Sequence, residues 1–223
     1  MVELAPHVWQ LPLLPLNGLN AYVVGDVLVD AGAAMTEGRL LTELAGRPLT
    51  AHLLTHAHPD HQGATAALCT ERAIPLWCGA ADREAAEKAD FSSAWRGRRR
   101  RRLFRLAAHL GGPGQPVARA LREGDRVADF VVVETPGHTP GHISLWREAD
   151  RVLILGDVAS YRNPLSLHPG LREPSRFVTR DPAQNRRSIL KVAALRPRLV
   201  CFGHGPPLAD GERFVRWAET LGA

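Results

Sequence analysis

The sequence predicts a layered α/β protein, on three observations. Short apolar runs of strand length alternate with helix-patterned stretches. Turn chemistry separates them, with 20 glycines and 17 prolines in 223 residues. Hydrophobic residues make up 45% and charged residues 23%, a globular composition that excludes a disordered chain. A chain of this length can bury a sizeable core, and residues 1–223 read as one domain. No apolar run approaches the ~18 residues of a membrane span. Cys69, Cys78 and Cys201 are too scattered for a disulfide framework or a CxxC zinc site. The start Met1-Val2-Glu3-Leu4 lacks the basic lead of a secretory signal. These two features predict a cytoplasmic protein that begins at Met1.

The elements follow in order. Residues 7–11, 19–24 and 27–30 are strand-like, and Gly25-Asp26 is the hairpin turn between the last two. A helix is expected over 35–44, ended by Gly46-Arg47-Pro48, and then a strand over 50–54. Residues 63–72 read as helix, 74–78 as extended and 80–89 as helix. Composition changes at 90–120, read as an inserted helix and loop ending in Gly111-Gly112-Pro113-Gly114. Strands are expected over 126–133, 143–147 and 151–155, with irregular chain over 159–181. A helix over 182–195 has Asp181 as N-cap and Pro182 at its first position. A strand over 198–202 and a helix over 211–221 close the chain.

The formal net charge of +5 is local in origin. Residues 96–105 hold seven arginines and no acid, and without them the charge would be −2. The run around 98–102 has three readings: a solvated helix face, a clamp that steers an anionic substrate, or a nonspecific nucleic-acid contact. The first is the ordinary outcome for a run of like charges, and nucleic acid is the least favoured.

The chemistry-bearing motif is Thr55-His56-Ala57-His58-Pro59-Asp60-His61, placed where an apolar strand ends and a helix begins. Three imidazoles and a carboxylate within six residues are costly to hold together without a cation, and this donor set suits Zn²⁺, Fe or Mn²⁺. His138 in Thr-Pro-Gly-His, Asp157 after Leu153-Ile154-Leu155-Gly156, and His204 after Val200-Cys201-Phe202-Gly203 occupy comparable strand ends. Together they make seven candidate ligands, enough for two metals.

This set resembles the metallo-β-lactamase-fold hydrolases. The likeness takes in HxHxDH, the later His, Asp and His in order, the Asn20-Ala21-Tyr22 strand and the Leu28-Val29-Asp30-Ala31-Gly32 turn. It implies a four-layer αβ/βα sandwich of two mixed sheets. It also implies that His56, His58 and His138 bind one metal, that Asp60, His61 and His204 bind a second, and that Asp157 bridges them. Asp30 would support the ligand loop, although Asp-Ala-Gly is also ordinary turn chemistry. His142 and Tyr161 are further candidates beside the site, His142 also reading as a turn residue and Tyr161 as a surface tyrosine.

The implied cofactor is a pair of divalent ions, zinc first, with iron or manganese as alternatives. Such a pair lowers the pKa of a shared water, and the resulting hydroxide attacks a small ester, thioester or lactone. Asp60 is the candidate proton acceptor. An acid at position 157 argues against β-lactamase activity, and His58 against the diiron flavoprotein branch. Only 19 residues follow His204, so the glutathione-binding extension of glyoxalase II is not expected. The rival readings are a mononuclear-iron persulfide dioxygenase and, behind it, a nucleic-acid phosphodiesterase. The expected partner is a small molecule, with an anionic one admitted by the arginine run.

Overall fold

The computed structural model describes residues 1–91, 111–163 and 168–222. The arginines at 98–102, and most of the insertion expected over 90–120, lie outside the described residues.

Sequential hairpins open the first sheet. Strands β1 (Val2–Ala5), β2 (Val8–Pro12), β3 (Asn20–Val24) and β4 (Val27–Val29) pair antiparallel. Three parallel strands then join by crossover: β5 (Ala51–Leu54), β6 (Leu76–Gly79) and β7 (Val117–Leu121). Parallel strands need long connections. Helix α1 (Glu37–Glu43) supplies the first, and α2 (Pro59–Gln62) with α3 (Thr65–Arg72) the second. Helix α4 (Arg83–Lys88) leaves β6 toward β7.

The second sheet runs in the order β14-β11-β10-β9-β8. Its strands are β8 (Arg126–Val127), β9 (Phe130–Glu134), β10 (Ile143–Arg147), β11 (Val152–Gly156) and β14 (Leu199–Phe202). All pairs are antiparallel except β11 with β14, which the helix α5 (Pro182–Ala193) connects. A small hairpin of β12 (Ser160–Arg162) and β13 (Pro169–Arg172) stands apart from both sheets, and α6 (Gly211–Glu219) ends the chain.

Side-chain alternation explains the layering. In β3, Tyr22 and Val24 point between the sheets, while Ala21 and Val23 point outward toward α1 and α3. In β11, Val152 and Ile154 face inward, while Leu153 and Leu155 meet Ile189 of α5 and Phe214 of α6. The result is helix, sheet, sheet, helix, with three apolar layers between. Strands buried on both faces read as unbroken apolar runs, which is why they are visible in sequence.

Three expectations change. Residues 117–121, read as part of the insertion, form β7 on the edge of the first sheet. The single strand expected over 126–133 is a hairpin, turned at Ala128 with φ of 51°. The irregular stretch 159–181 contains the β12–β13 hairpin. The helix start at Pro182 holds: Gln184 donates its backbone N–H to Asp181 Oδ1 at 3.0 Å. No helix among the described residues is long and apolar enough to cross a membrane.

Phe214 is fully buried and packs edge-on against Phe202 at 6.5 Å. Phe214→Ala should cost about 3–5 kcal/mol in denaturant unfolding. Met35→Ala, at a side chain 76% exposed, should stay within about 0.5 kcal/mol. His52, buried in β5, spans Leu28 O at 3.2 Å and Thr65 Oγ1 at 2.9 Å, and burial lowers its pKa to about 4. Between there and the ordinary 6.5 the unfolded chain binds the extra proton, so stability falls on acidification. His52→Gln should make that acid-side fall shallower by about 1.4 kcal/mol per pH unit, read from unfolding midpoints.

Candidate metal centre

One edge of the sandwich collects the strand ends. Asp30 follows β4, the residues 55–61 follow β5, Asp157 follows β11 and His204 follows β14. His138 lies on the turn between β9 and β10. Backbone bonds lock these loops together: Asp30 N to Leu53 O at 2.8 Å, Ala31 N to His61 O at 2.8 Å, Ile143 N to Thr55 O at 2.9 Å, and Gly203 N to Gly156 O at 3.1 Å.

The structure brings together all seven candidate ligands. Their donor atoms fall into three overlapping groups able to hold a metal: His56, His58 and His138; His56, His61 and Asp157; and Asp60, His61 and His204. Within each group the atoms lie within 4.8 Å of one another. Six of the seven are buried, and Asp60, with 44% of its side chain exposed, marks the solvent side.

Hydrogen bonds fix which ring nitrogen faces inward. His61 donates Nδ1–H to Asp30 Oδ2 at 2.8 Å, and His204 donates Nδ1–H to Gly18 O at 2.7 Å. The Thr179 hydroxyl is committed to Ser175 O at 2.9 Å, so His138 donates Nδ1–H to Thr179 Oγ1 at 3.2 Å. Thr55 gives its hydroxyl proton to Asp30 Oδ2 at 2.8 Å and therefore accepts from His56 Nδ1 at 3.0 Å. Each of the four rings thus commits Nδ1 to a fixed partner and leaves Nε2 facing the cluster, the arrangement a metal ligand requires.

The two halves of the cluster differ electrically. Burial and neighbouring imidazoles drive His56 and His138 well below the usual histidine range, and burial takes His58 to about 4. The first group is therefore neutral, and His138 Nε2 lies at hydrogen-bond distance, 3.0 Å, from His58 Nδ1. In the second half burial again opposes charge on the histidines, but Asp157 outweighs it at His61, and Asp157 with Asp60 pushes His204 up to about 10. Burial would raise both carboxyls, yet His204 and His61 hold Asp60 and Asp157 below the usual range.

These residues fit divalent cations. His56 Nε2, His61 Nε2 and Asp157 Oδ1 are buried without a hydrogen-bond partner, a costly state for polar atoms that a cation relieves. Neutral imidazole and carboxylate are the donors that zinc, iron and manganese accept. Gly203 makes room: a Cβ there would run into Asp157 Oδ1 and His61 Cε1.

The neighbouring candidates sort by their contacts. Asp30, itself in a left-handed conformation at φ of 60°, accepts from Thr55 N at 2.8 Å as well as from His61. His142 is buried and stacks on His56 with 5.0 Å between centroids, and its Nε2 accepts Asp157 N–H at 3.0 Å. Its Nδ1 donates to Thr135 Oγ1 at 2.8 Å, so it supports the site without facing it. Tyr161 joins the site through its backbone, N–H to His204 O at 3.0 Å. Its ring packs on Phe202 at 6.0 Å and under Arg213 at 5.4 Å. Sequence reading passed over Asp82, which follows β6 at the same edge and accepts from Ala57 N at 3.0 Å. Its strand-end position was the one available signal.

Comparison with known proteins agrees with this geometry. The chain is 30% identical over 206 residues to the probable metallo-hydrolase YflN of Bacillus subtilis, covering 84% of this chain and 78% of that protein. It is 32% identical over 184 residues to a hydroxyacylglutathione hydrolase of Fuscovulum blasticum, covering 79% of this chain and 56% of that relative. The crystal structure of TTHA1623 in a di-iron-bound form superimposes with a TM-score of 0.69 at 30% identity, over 91% of this chain and 95% of that one. The family model described as the metallo-beta-lactamase superfamily matches residues 15–204, and with the fold and the histidine–aspartate cluster at its edge, the chain belongs to that superfamily.

Proposed function

We propose that this chain is a metal-dependent hydrolase that takes two divalent cations, zinc first, and opens a small ester, thioester or lactone. The observation that carries the reading is the position of Asp157 Oδ2. It lies 3.1 Å from His204 Nε2, 3.5 Å from His61 Nε2 and 3.9 Å from His138 Nε2. One oxygen thus faces both halves of the cluster, as a ligand shared by two cations must. His56, His58 and His138 would hold one cation, and Asp60, His61 and His204 the other. Bound there, the pair would supply Lewis acidity to activate a water and polarise the substrate carbonyl.

The chain's own residues supply the rest. Burial of the histidines excludes bulk water and strengthens every charge interaction in the site. Asp60 combines partial exposure with a place in the cluster, 3.3 Å from His204 Nε2, and is assigned as the group that accepts a proton and passes it to solvent. No thiol competes as nucleophile: burial raises Cys69 and Cys78 to about 12 and Cys201 higher still. Similarity to a protein named hydroxyacylglutathione hydrolase favours an acyl substrate. The chain spans only 56% of that relative, so glutathione recognition is not carried across.

Metal analysis of the purified chain, paired with a panel of thioesters, lactones, β-lactams and phosphodiesters, tests the reading. Two zinc-class ions per chain with ester or thioester cleavage are expected. One iron per chain with oxygen uptake would replace the hydrolase by a persulfide dioxygenase. His58→Ala should abolish turnover through metal loss while leaving the circular dichroism spectrum intact, and full activity in that variant would overturn the assignment. Asp60→Asn should lower kcat by about 10²–10⁴-fold if Asp60 moves the proton. An unchanged kcat would remove it from that role.

A further inference from the structure

Asp82 is a buried carboxylate, 1% exposed, at the end of the 3-10 turn Ala80–Asp82 that follows β6. Among the described residues no cation pairs with it. Its partners are three donors. Oδ2 accepts the backbone N–H of Ala57 at 3.0 Å and the hydroxyl of Thr139 at 2.5 Å, and Oδ1 accepts the backbone N–H of Gly141 at 2.6 Å. Ala57 lies between His56 and His58, while Thr139 follows His138 directly. One side chain therefore ties the loop bearing two histidines of the first group to the loop bearing the third. The fit is close: a Cβ on Gly141 would strike Asp82 N and the Ala81 carbonyl carbon, and one on Gly79 would strike Gly141 O.

The other half of the cluster is held by different means. Asp30 fixes His61, the Gly18 carbonyl fixes His204, and His142 fixes the backbone of Asp157. None of these contacts involves Asp82.

We infer that Asp82 is a positioning residue for one cation only, setting the spacing of His56, His58 and His138 and hence the affinity of the three-histidine site. The inference rests on the two-metal reading proposed above. A buried charge held by neutral donors is costly to keep. Its return here is geometric, since ligands displaced by a few tenths of an ångström no longer meet one ion. Groups that orient metal ligands typically contribute 10–100-fold in affinity. Asn cannot replace Asp82: its amide accepts on one atom only, so its NH₂ must face either Gly141 N–H or the Ala57 and Thr139 donors.

The test is titration of the metal-free full chain with Zn²⁺ against a chromophoric chelator, repeated with Co²⁺ to read ligand-field absorption. The wild-type chain should show two sites. Asp82→Asn should weaken one of them about 10–100-fold and leave the other within about twofold, with the Co²⁺ spectrum of the weakened site altered. Thr139→Val keeps the carboxylate and both backbone bonds, and should weaken the same site by a smaller factor. That arm decides the matter if Asp82→Asn does not fold. Two unaltered sites in Asp82→Asn, or equal weakening of both in a folded chain, would overturn the inference while leaving the two-metal reading standing. A wild-type chain that takes up no metal would overturn both.

Discussion

A buried cluster of imidazoles and carboxylates, its rings held from outside by hydrogen bonds, governs this structure. Four imidazoles donate Nδ1–H to Asp30, Gly18, Thr55 and Thr179, and so turn their Nε2 atoms toward one another and toward two carboxylates. Left to themselves, buried lone pairs repel. The protein accepts that cost and surrounds the cluster with hydrogen bonds that hold it open for a positive charge. Loops, caps and tight glycines at this edge are intelligible as means of keeping those atoms where they are.

The sandwich provides the rigidity that the cluster demands. The central strands of each sheet are buried on both faces and held by packing from two sides. Strand ends are therefore fixed points, and every ligand-bearing loop begins or ends on one. Helix α5 adds a brace from the side. Its Ser188 donates to Pro136 O at 2.6 Å, and Asp181 just ahead of it donates its N–H to Gly137 O at 2.8 Å, pinning the loop of His138. The tie between the sheets is similarly direct, with Asn20 donating to Phe202 O at 3.0 Å and Gly205 O at 2.8 Å on either side of His204.

Support for the cluster is divided. Asp30 holds Thr55 and His61 at the two ends of the histidine loop, and Asp82 ties the middle of that loop to the loop of His138, each a buried carboxylate bonded to backbone N–H and threonine hydroxyl. In the superfamily to which the chain belongs, the fold does not set the substrate, and chemistry is chosen by the loops over the site.

The sequence alone determined the central strands and the candidate ligands. Unbroken apolar runs exposed β3, β11 and β14, and HxHxDH, His138, Asp157 and His204 were legible because chemistry of that kind needs those residue types at strand ends. Short or polar elements were not legible: β7, reading Val-Ala-Arg-Ala-Leu, lies at a sheet edge where one side need not be apolar. The contacts of Asp82, His142 and Tyr161 were decided only by tertiary structure. Each depends on partners far away in the chain, such as Gly141 for Asp82 and Phe202 for Tyr161, and local sequence carries no trace of which distant donor a buried side chain will meet.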